Sequence, residues 1–216
     1  MPPIFESMLS NRGVYLALAM QGLILLEGIF GLFIRDPSII ATAFIGLFLT
    51  CIPYLIGRRI QVTLPWEVNF LIAFSVLLHV SGYSQHLYIL LYPYYDKFAH
   101  FVSSITVAVL AFVSILLINY FSCTKMARWQ IFFYIVIFTM AIGAFWEIYE
   151  YLLDTFLGSY LTKPLQHGLD DTMIDLIIDL LGGIVVGLFG TFYIQKRTLT
   201  DLTNQMVGDS QQECKI

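Results

Sequence analysis

The chain has 216 residues, of which 58% are hydrophobic and only 12% charged, and its mean hydropathy is +0.79. A soluble domain carries about 25% charged residues, so a soluble globular fold is excluded. The net charge of −4 says little about partners, and no nucleic acid is expected among them.

The apolar residues fall in blocks, several of which reach the roughly 20 residues needed to cross about 30 Å of hydrocarbon. The expected fold is all-α, a polytopic membrane bundle of six transmembrane helices in one domain over residues 1–195. The first span is expected at 13–34. It is too long for the apolar region of a signal peptide and has no evident cleavage site, so it is read as retained. "RDPS" separates it from the second span, 38–57, and "GRR" closes that one. The third span, 66–83, follows Pro65; Glu67 in its first turn is read as structural. "QHLYILLYPYY" (85–95) is apolar but rich in tyrosine, which suits a short segment at headgroup level. The fourth span, 97–121, is entered through "YDKFAHF" and left through "SCTKMARWQ". The fifth, 130–152, ends in "AFWEIYEYLLD", and the sixth, 172–195, opens on "LDDTMIDLIIDLLGG". Residues 196–216 read as a short polar cytoplasmic tail. Cys51, Cys123 and Cys214 show no framework spacing and no CxxC, so no disulfide is expected.

Lysine and arginine set the orientation. With six spans both ends share a side. That side holds Arg12, Arg58, Arg59, Lys125, Arg128, Lys196, Arg197 and Lys215, eight of the eleven basic residues. Arg35, Lys97 and Lys163 fall on the other. Both termini are therefore expected in the cytoplasm, with the protein in the plasma (inner) membrane. The ionisable residues then sort into the outer leaflet. Asp96, Lys97 and His100 open span four. Glu147, Glu150 and Asp154 close span five. Asp170, Asp171, Asp175 and Asp179 open span six, with His167 in the loop before them. His79 lies near the outer end of span three, and Glu27 about 10 Å below the outer end of span one at about 1.5 Å per residue.

Asp96 and His100 are four apart and share a helix face. Glu147 and Glu150 are three apart, with Asp154 four further on. Asp171, Asp175 and Asp179 form one stripe. An ionised carboxylate in lipid costs several kcal/mol, so these faces should turn to partners or water. Capping accounts for some of them: Asp96, Asp170, Asp171 and Thr172 sit where helices start, and Thr172 with Asp175 has the spacing of a capping box. Capping does not account for Glu147, Glu150 and Asp154, which sit where the helix dipole disfavours negative charge, nor for Asp175 and Asp179 below the cap. Crowded acids need a cation or shared protons. Inward-facing carboxylates and imidazole are how helical bundles build metal sites, and a mixed O/N set suits Zn²⁺, Mn²⁺ or Fe²⁺ better than Ca²⁺. The alternative is a polar network that knits spans four to six. His79 alone on an apolar span reads as a hydrogen-bonded interior residue. Gly182, Gly183, Gly187 and Gly190 read as a close-packing device.

Three segments together, "YDKFAHF", "GAFWEIYEY" and "DDTMIDLIIDLLGGIVVG", resemble the YjdF-like family of uncharacterised bacterial and archaeal inner-membrane proteins, and more distantly VanZ-like membrane proteins. The VanZ-like pattern is DK-x-x-H opening one span, matched by Asp96, Lys97 and His100. It continues with a Glu-rich helix end, often E-x-x-Q, matched by Glu147 and Glu150. It closes with D-x-x-x-N-x-x-G, matched by Asp175, Asp179 and Gly182. Glu150 and Asp179 depart from it, standing where Gln and Asn are usual, and make this chain the more acidic. The resemblance covers the last three spans and implies an envelope role without naming a reaction.

Three functions remain open. The first is a metal-assisted hydrolase or transferase on a lipid or lipid-linked substrate. In it Asp96, His100, Glu147 and Asp175 hold the metal, Glu150 or Asp171 acts as base and Lys97 meets a phosphate. The second is a proton- or cation-coupled transporter, with Glu27, Asp175 and Asp179 on the path. The third is a non-catalytic membrane scaffold. His79, Asp154, His167, Asp170 and Asp179 are candidates for a supporting shell or ion path. Membrane lipids are the expected surroundings in every case.

Overall fold

A computed structural model describes residues 12–122, 126–158 and 164–196. Cys123, Lys125, Lys163, Arg197, Cys214, Lys215 and the polar tail beyond Lys196 lie outside the described residues. Within them the chain forms seven helices: α1 Arg12–Ile34, α2 Pro37–Ile60, α3 Trp66–Ser84, α4 Leu87–Leu90, α5 Tyr94–Ser122, α6 Arg128–Leu157 and α7 Leu169–Lys196. All but α4 are long and apolar enough to cross a membrane. This is the all-α, six-span architecture that the apolar blocks predict.

The helices run a few residues past the predicted spans. Hydropathy measures the part of a helix that sits in hydrocarbon, whereas hydrogen bonding continues into polar residues at either end. Two expectations change as a result. Asp96 falls inside the first turn of α5, which starts at Tyr94. Likewise α7 starts at Leu169, so Asp170, Asp171 and Thr172 are inside its first turn and are not its caps. The Thr172 hydroxyl donates to Gln166 Oε1 at 3.1 Å and forms no capping box with Asp175. Gly168, with φ of +112°, makes the turn into α7, a conformation that a residue with Cβ rarely adopts.

Other boundaries follow local chemistry. Asp36 caps α2: its Oδ1 accepts from the backbone N–H of Ser38 at 2.9 Å and of Ile39 at 3.2 Å, and Pro37 occupies the first helical position, where no N–H is needed. The same helix stops at Gln61, which is left-handed at φ of 57°. The following N–H of Val62 returns to Gly57 O at 2.8 Å, an approach that a side chain at 57 would block.

The chain divides into two compact units between Ala99 and His100, a division that falls inside the continuous helix α5. In the N-terminal unit α1, α2 and α3 pack on one another and α4 packs on α3, around Ile24, Ala43 and Val80 with Leu47, Val76 and Leu77 against them. Gly46 lies under Val76 and Val80. In the C-terminal unit α6 packs along α7, and Ala108, Ala111 and Ile115 of α5 form a core with Ile131 and Ile135 of α6. Lipid tails are as apolar as leucine, so close packing through small residues carries helix association here. Large apolar side chains such as Phe33, Ile137 and Phe189 are exposed along the spans, but none of those on α3 is. Cys51 is free and exposed.

Candidate metal centre

The site in the C-terminal unit is built from one face of each of its three helices. On α5 the spacing of four puts His100 one turn below Asp96. On α6 the chain turns Glu147 inward and leaves Phe145, Ile148 and Tyr149 exposed. On α7 the stripe Asp171, Asp175, Asp179 descends two turns while Ile174 and Ile177 face outward. His100, Glu147, Asp175 and Asp179 are all buried, at 4%, 6%, 2% and 4% exposure. Four ionisable groups at such depth demand a compensating partner.

Their arrangement around the imidazole is specific. Nε2 of His100 faces Glu147 Oε1 at 3.7 Å and Asp175 Oδ1 at 4.0 Å, and Nδ1 faces Asp179 Oδ1 at 3.6 Å. These gaps exceed a hydrogen bond. They match the span across a cation: two donors each about 2.1 Å from one ion lie about 3.4 Å apart at a tetrahedral angle and about 4 Å apart when the angle opens. Asp179 completes a carboxylate–imidazole pair on the far side of the ring. A carboxylate there favours the proton on Nδ1 and leaves the Nε2 lone pair for a metal, the usual outer shell of a histidine ligand. Of the four residues expected as ligands, Glu147 and Asp175 face Nε2 of His100, and Asp96 lies one turn before His100 on α5.

Asp179 is seated by glycine. A Cβ on Gly143 would collide with Asp179 Oδ2, and one on Gly182 with Ser104 Oγ. The "GAFWE" and "DLLGG" segments therefore let α5, α6 and α7 approach closely enough to bring the acids onto one imidazole. Oδ2 of Asp179 is buried with no hydrogen-bond partner.

The remaining candidates distribute around this centre or away from it. Lys97 Nζ donates to Asp96 Oδ2 at 2.9 Å. Asp171 Oδ2 lies 3.5 Å from His167 Nδ1, whose side chain is 28% exposed, one turn above Asp175. Glu150 Oε1 accepts from Trp146 Nε1 at 2.9 Å, a bond along its own helix. Asp154 is a loop anchor: it accepts from the backbone N–H of Leu165 at 2.9 Å and of Gln166 at 2.7 Å. Asp170 sits in the first turn of α7. In the N-terminal unit Glu27 accepts from Ser84 Oγ at 2.7 Å, from Ser81 Oγ at 3.3 Å and from Gln85 Nε2. His79 Nδ1 meets Tyr88 Oη at 2.6 Å, as expected of a hydrogen-bonded interior histidine. The residue that sequence reasoning missed is Gln166, whose Nε2 donates to Glu147 Oε2 at 3.1 Å. An amide in a loop carries no charge, and so gives no signal in a search built on buried charge.

Comparison with known proteins is consistent with this architecture. The family described as "Predicted membrane protein (DUF2238)" matches residues 15–196, which includes every helix that builds the centre. A Thermotoga maritima protein, described as "Uncharacterized protein", is 35% identical over 136 residues, which cover 60% of this chain and 65% of the relative. No solved structure matches the chain.

Proposed function

The chain belongs to the DUF2238 family of predicted membrane proteins, and from that premise we propose that it is a metal-dependent hydrolase or transferase acting on a lipid or lipid-linked substrate of the cell envelope. The observation that carries this reading is the seating of His100: carboxylates stand on both sides of one buried imidazole, at separations suited to a cation on the Nε2 side. Asp96, His100, Glu147 and Asp175 are the ligands, and Asp179 orients the ring. Zn²⁺, Mn²⁺ and Fe²⁺ suit this donor set. Such an ion would neutralise the acids, receive an anionic head group that they would otherwise repel, and supply an activated water.

Asp171 is the better placed base. It sits one turn above Asp175 and is paired with His167, whereas Glu150 is engaged by Trp146. Lys97 offers a cation beside the same centre for a phosphate group. The positive-inside distribution supports a centre in the outer leaflet of the plasma membrane with both termini cytoplasmic. The YjdF-like and distant VanZ-like likeness of "DKFAH", "WEIYE" and "DLIIDLLGG" supports an envelope role.

The test is metal content, by inductively coupled plasma mass spectrometry, of the full chain purified in metal-free detergent buffer. Wild type is expected to hold near-stoichiometric Zn, Mn or Fe, and folded His100→Ala and Glu147→Gln variants to lose it. Wild type without metal, even after metals are added back, would end this reading. A second reading, a proton- or cation-coupled transporter, is favoured by Asp179, whose Oδ2 is buried without a hydrogen bond. It predicts proton-coupled flux in liposomes from metal-free protein, abolished in Asp179→Asn.

A further inference from the structure

The segment that leads into α7 is tied to the floor of the site at three points. Asp154 of α6 holds its backbone through the N–H groups of Leu165 and Gln166. Thr172 of α7 donates from its hydroxyl to Gln166 Oε1 at 3.1 Å. The amide nitrogen of Gln166 donates to Glu147 Oε2 at 3.1 Å and to the Glu147 carbonyl at 3.3 Å. The acceptance from Thr172 decides which end of the amide points down: the oxygen is engaged above, so the NH₂ group faces Glu147. The two oxygens of Glu147 therefore have different surroundings. Oε2 is held by an amide, and Oε1 is turned to His100 Nε2 at 3.7 Å.

We propose that Gln166 is a positioning residue of the metal centre: held by Thr172 and, through the backbone, by Asp154, it fixes Glu147 Oε2 so that Oε1 is presented to the metal as a single ligand atom. This rests on the metal reading of the site. A carboxylate on an α-helix has several rotamers and can bind an ion through one oxygen or both. A donor on one oxygen removes that freedom before the metal arrives, so less is lost on binding. Outer partners of this kind typically contribute about 10- to 100-fold in metal affinity. Asp154, which accepts two backbone N–H groups near a helix C-terminus where the dipole disfavours its charge, has its place explained by the same device: it fixes the register of the segment that delivers Gln166.

The experiment is a metal titration of the full chain in detergent, with Zn²⁺ or Mn²⁺ competed against a chelator, together with the visible absorption spectrum of the Co²⁺-loaded protein. Gln166→Ala is expected to weaken binding about tenfold and to shift the Co²⁺ bands as Glu147 changes its mode of coordination. Gln166→Asn, one methylene too short to reach, keeps the amide and the fold and is expected to do the same. Asp154→Ala should weaken binding in the same direction, and Asp154→Ala combined with Gln166→Ala should be no worse than Gln166→Ala alone, because both act through one contact. A purely structural role would lower the melting temperature of the metal-free protein while leaving affinity and spectrum as in wild type. Affinity within about twofold of wild type in folded Gln166→Ala or Gln166→Asn would overturn the proposal, since that is far short of the loss expected of an outer partner. Wild type that binds no metal would instead bring down the metal reading, and this inference with it; the two failures are told apart by the wild-type titration alone.

Discussion

Gly143 owes its identity to Asp179. A methyl group there would occupy the place of Asp179 Oδ2, so either α6 and α7 move apart or the carboxylate swings away from His100 Nδ1. Overpacking of this kind costs about 1–3 kcal/mol. Gly143→Ala is expected to lower the melting temperature in detergent and to weaken metal binding. Adding Asp179→Ala to it should recover melting temperature and not binding, since the collision goes but the partner of Nδ1 goes with it. Equal and additive losses in the two single variants would show that the two positions do not meet. Gly182 supplies the contrast, because its obstacle is Ser104, whose Oγ collides with a methyl at 182 and whose Cβ would lie 2.8 Å from it. Adding Ser104→Ala to Gly182→Ala should therefore recover melting temperature only in part, since the Cβ contact remains.

Helix α7 shows what one element contributes and how much of it can be read from sequence. Its acids repeat every four residues, and each step meets a different partner: Asp171 meets His167, Asp175 meets His100 Nε2, and Asp179 meets His100 Nδ1. Asparagine variants should therefore separate by position. Asp175→Asn removes a proposed ligand and should abolish stoichiometric metal. Asp179→Asn keeps the ligands but loosens the ring, so metal should remain with weaker affinity. Asp171→Asn should leave metal content at the wild-type level and lower turnover alone. Metal analysis of the three purified variants checks the order, and indistinguishable variants would favour a shared polar network. The proposed ligands must be deprotonated to bind, so dialysis from about pH 8 to about pH 5 is expected to strip metal from wild type as protons compete with the ion. The stripe was legible because period four and buried charge are both sequence properties. So was the membrane class, because runs of apolar residues fix helix length. Helix ends were read short, since Tyr94 and Arg128 are helical but polar. Capping of α7 departs from the sequence expectation because Gly168, two residues before the first acid, makes the turn. Gln166 and the Trp146–Glu150 bond depend on tertiary placement, which no local pattern encodes.

At the scale of the whole molecule, the side of the membrane on which the centre opens decides what it can act on. Within the C-terminal unit the first turn of α7 stands beside the centre, and the start of α6 lies a full span away from it. Leu169 at the former is 72% exposed, and Arg128 at the latter is exposed as well. The proposed orientation, which rests on six spans with eight of eleven basic residues on the terminal side, would put Arg128 in the cytoplasm and Leu169 outside. The asymmetry has weight because the basic residues fall in short loops and close to the helix ends, where the rule operates. In a background with Cys51, Cys123 and Cys214 replaced by serine, Leu169→Cys is expected to react with a membrane-impermeant maleimide in intact cells, and Arg128→Cys only after permeabilisation. That outcome leaves envelope precursors and outer-leaflet lipids as the accessible substrates. The reverse outcome would turn the centre toward the cytoplasm, where soluble phosphorylated metabolites reach it as readily as lipids do. The metal chemistry would stand, but its restriction to envelope substrates would not, because the argument for lipid-linked substrates rests on where the mouth opens and not on the ligand set.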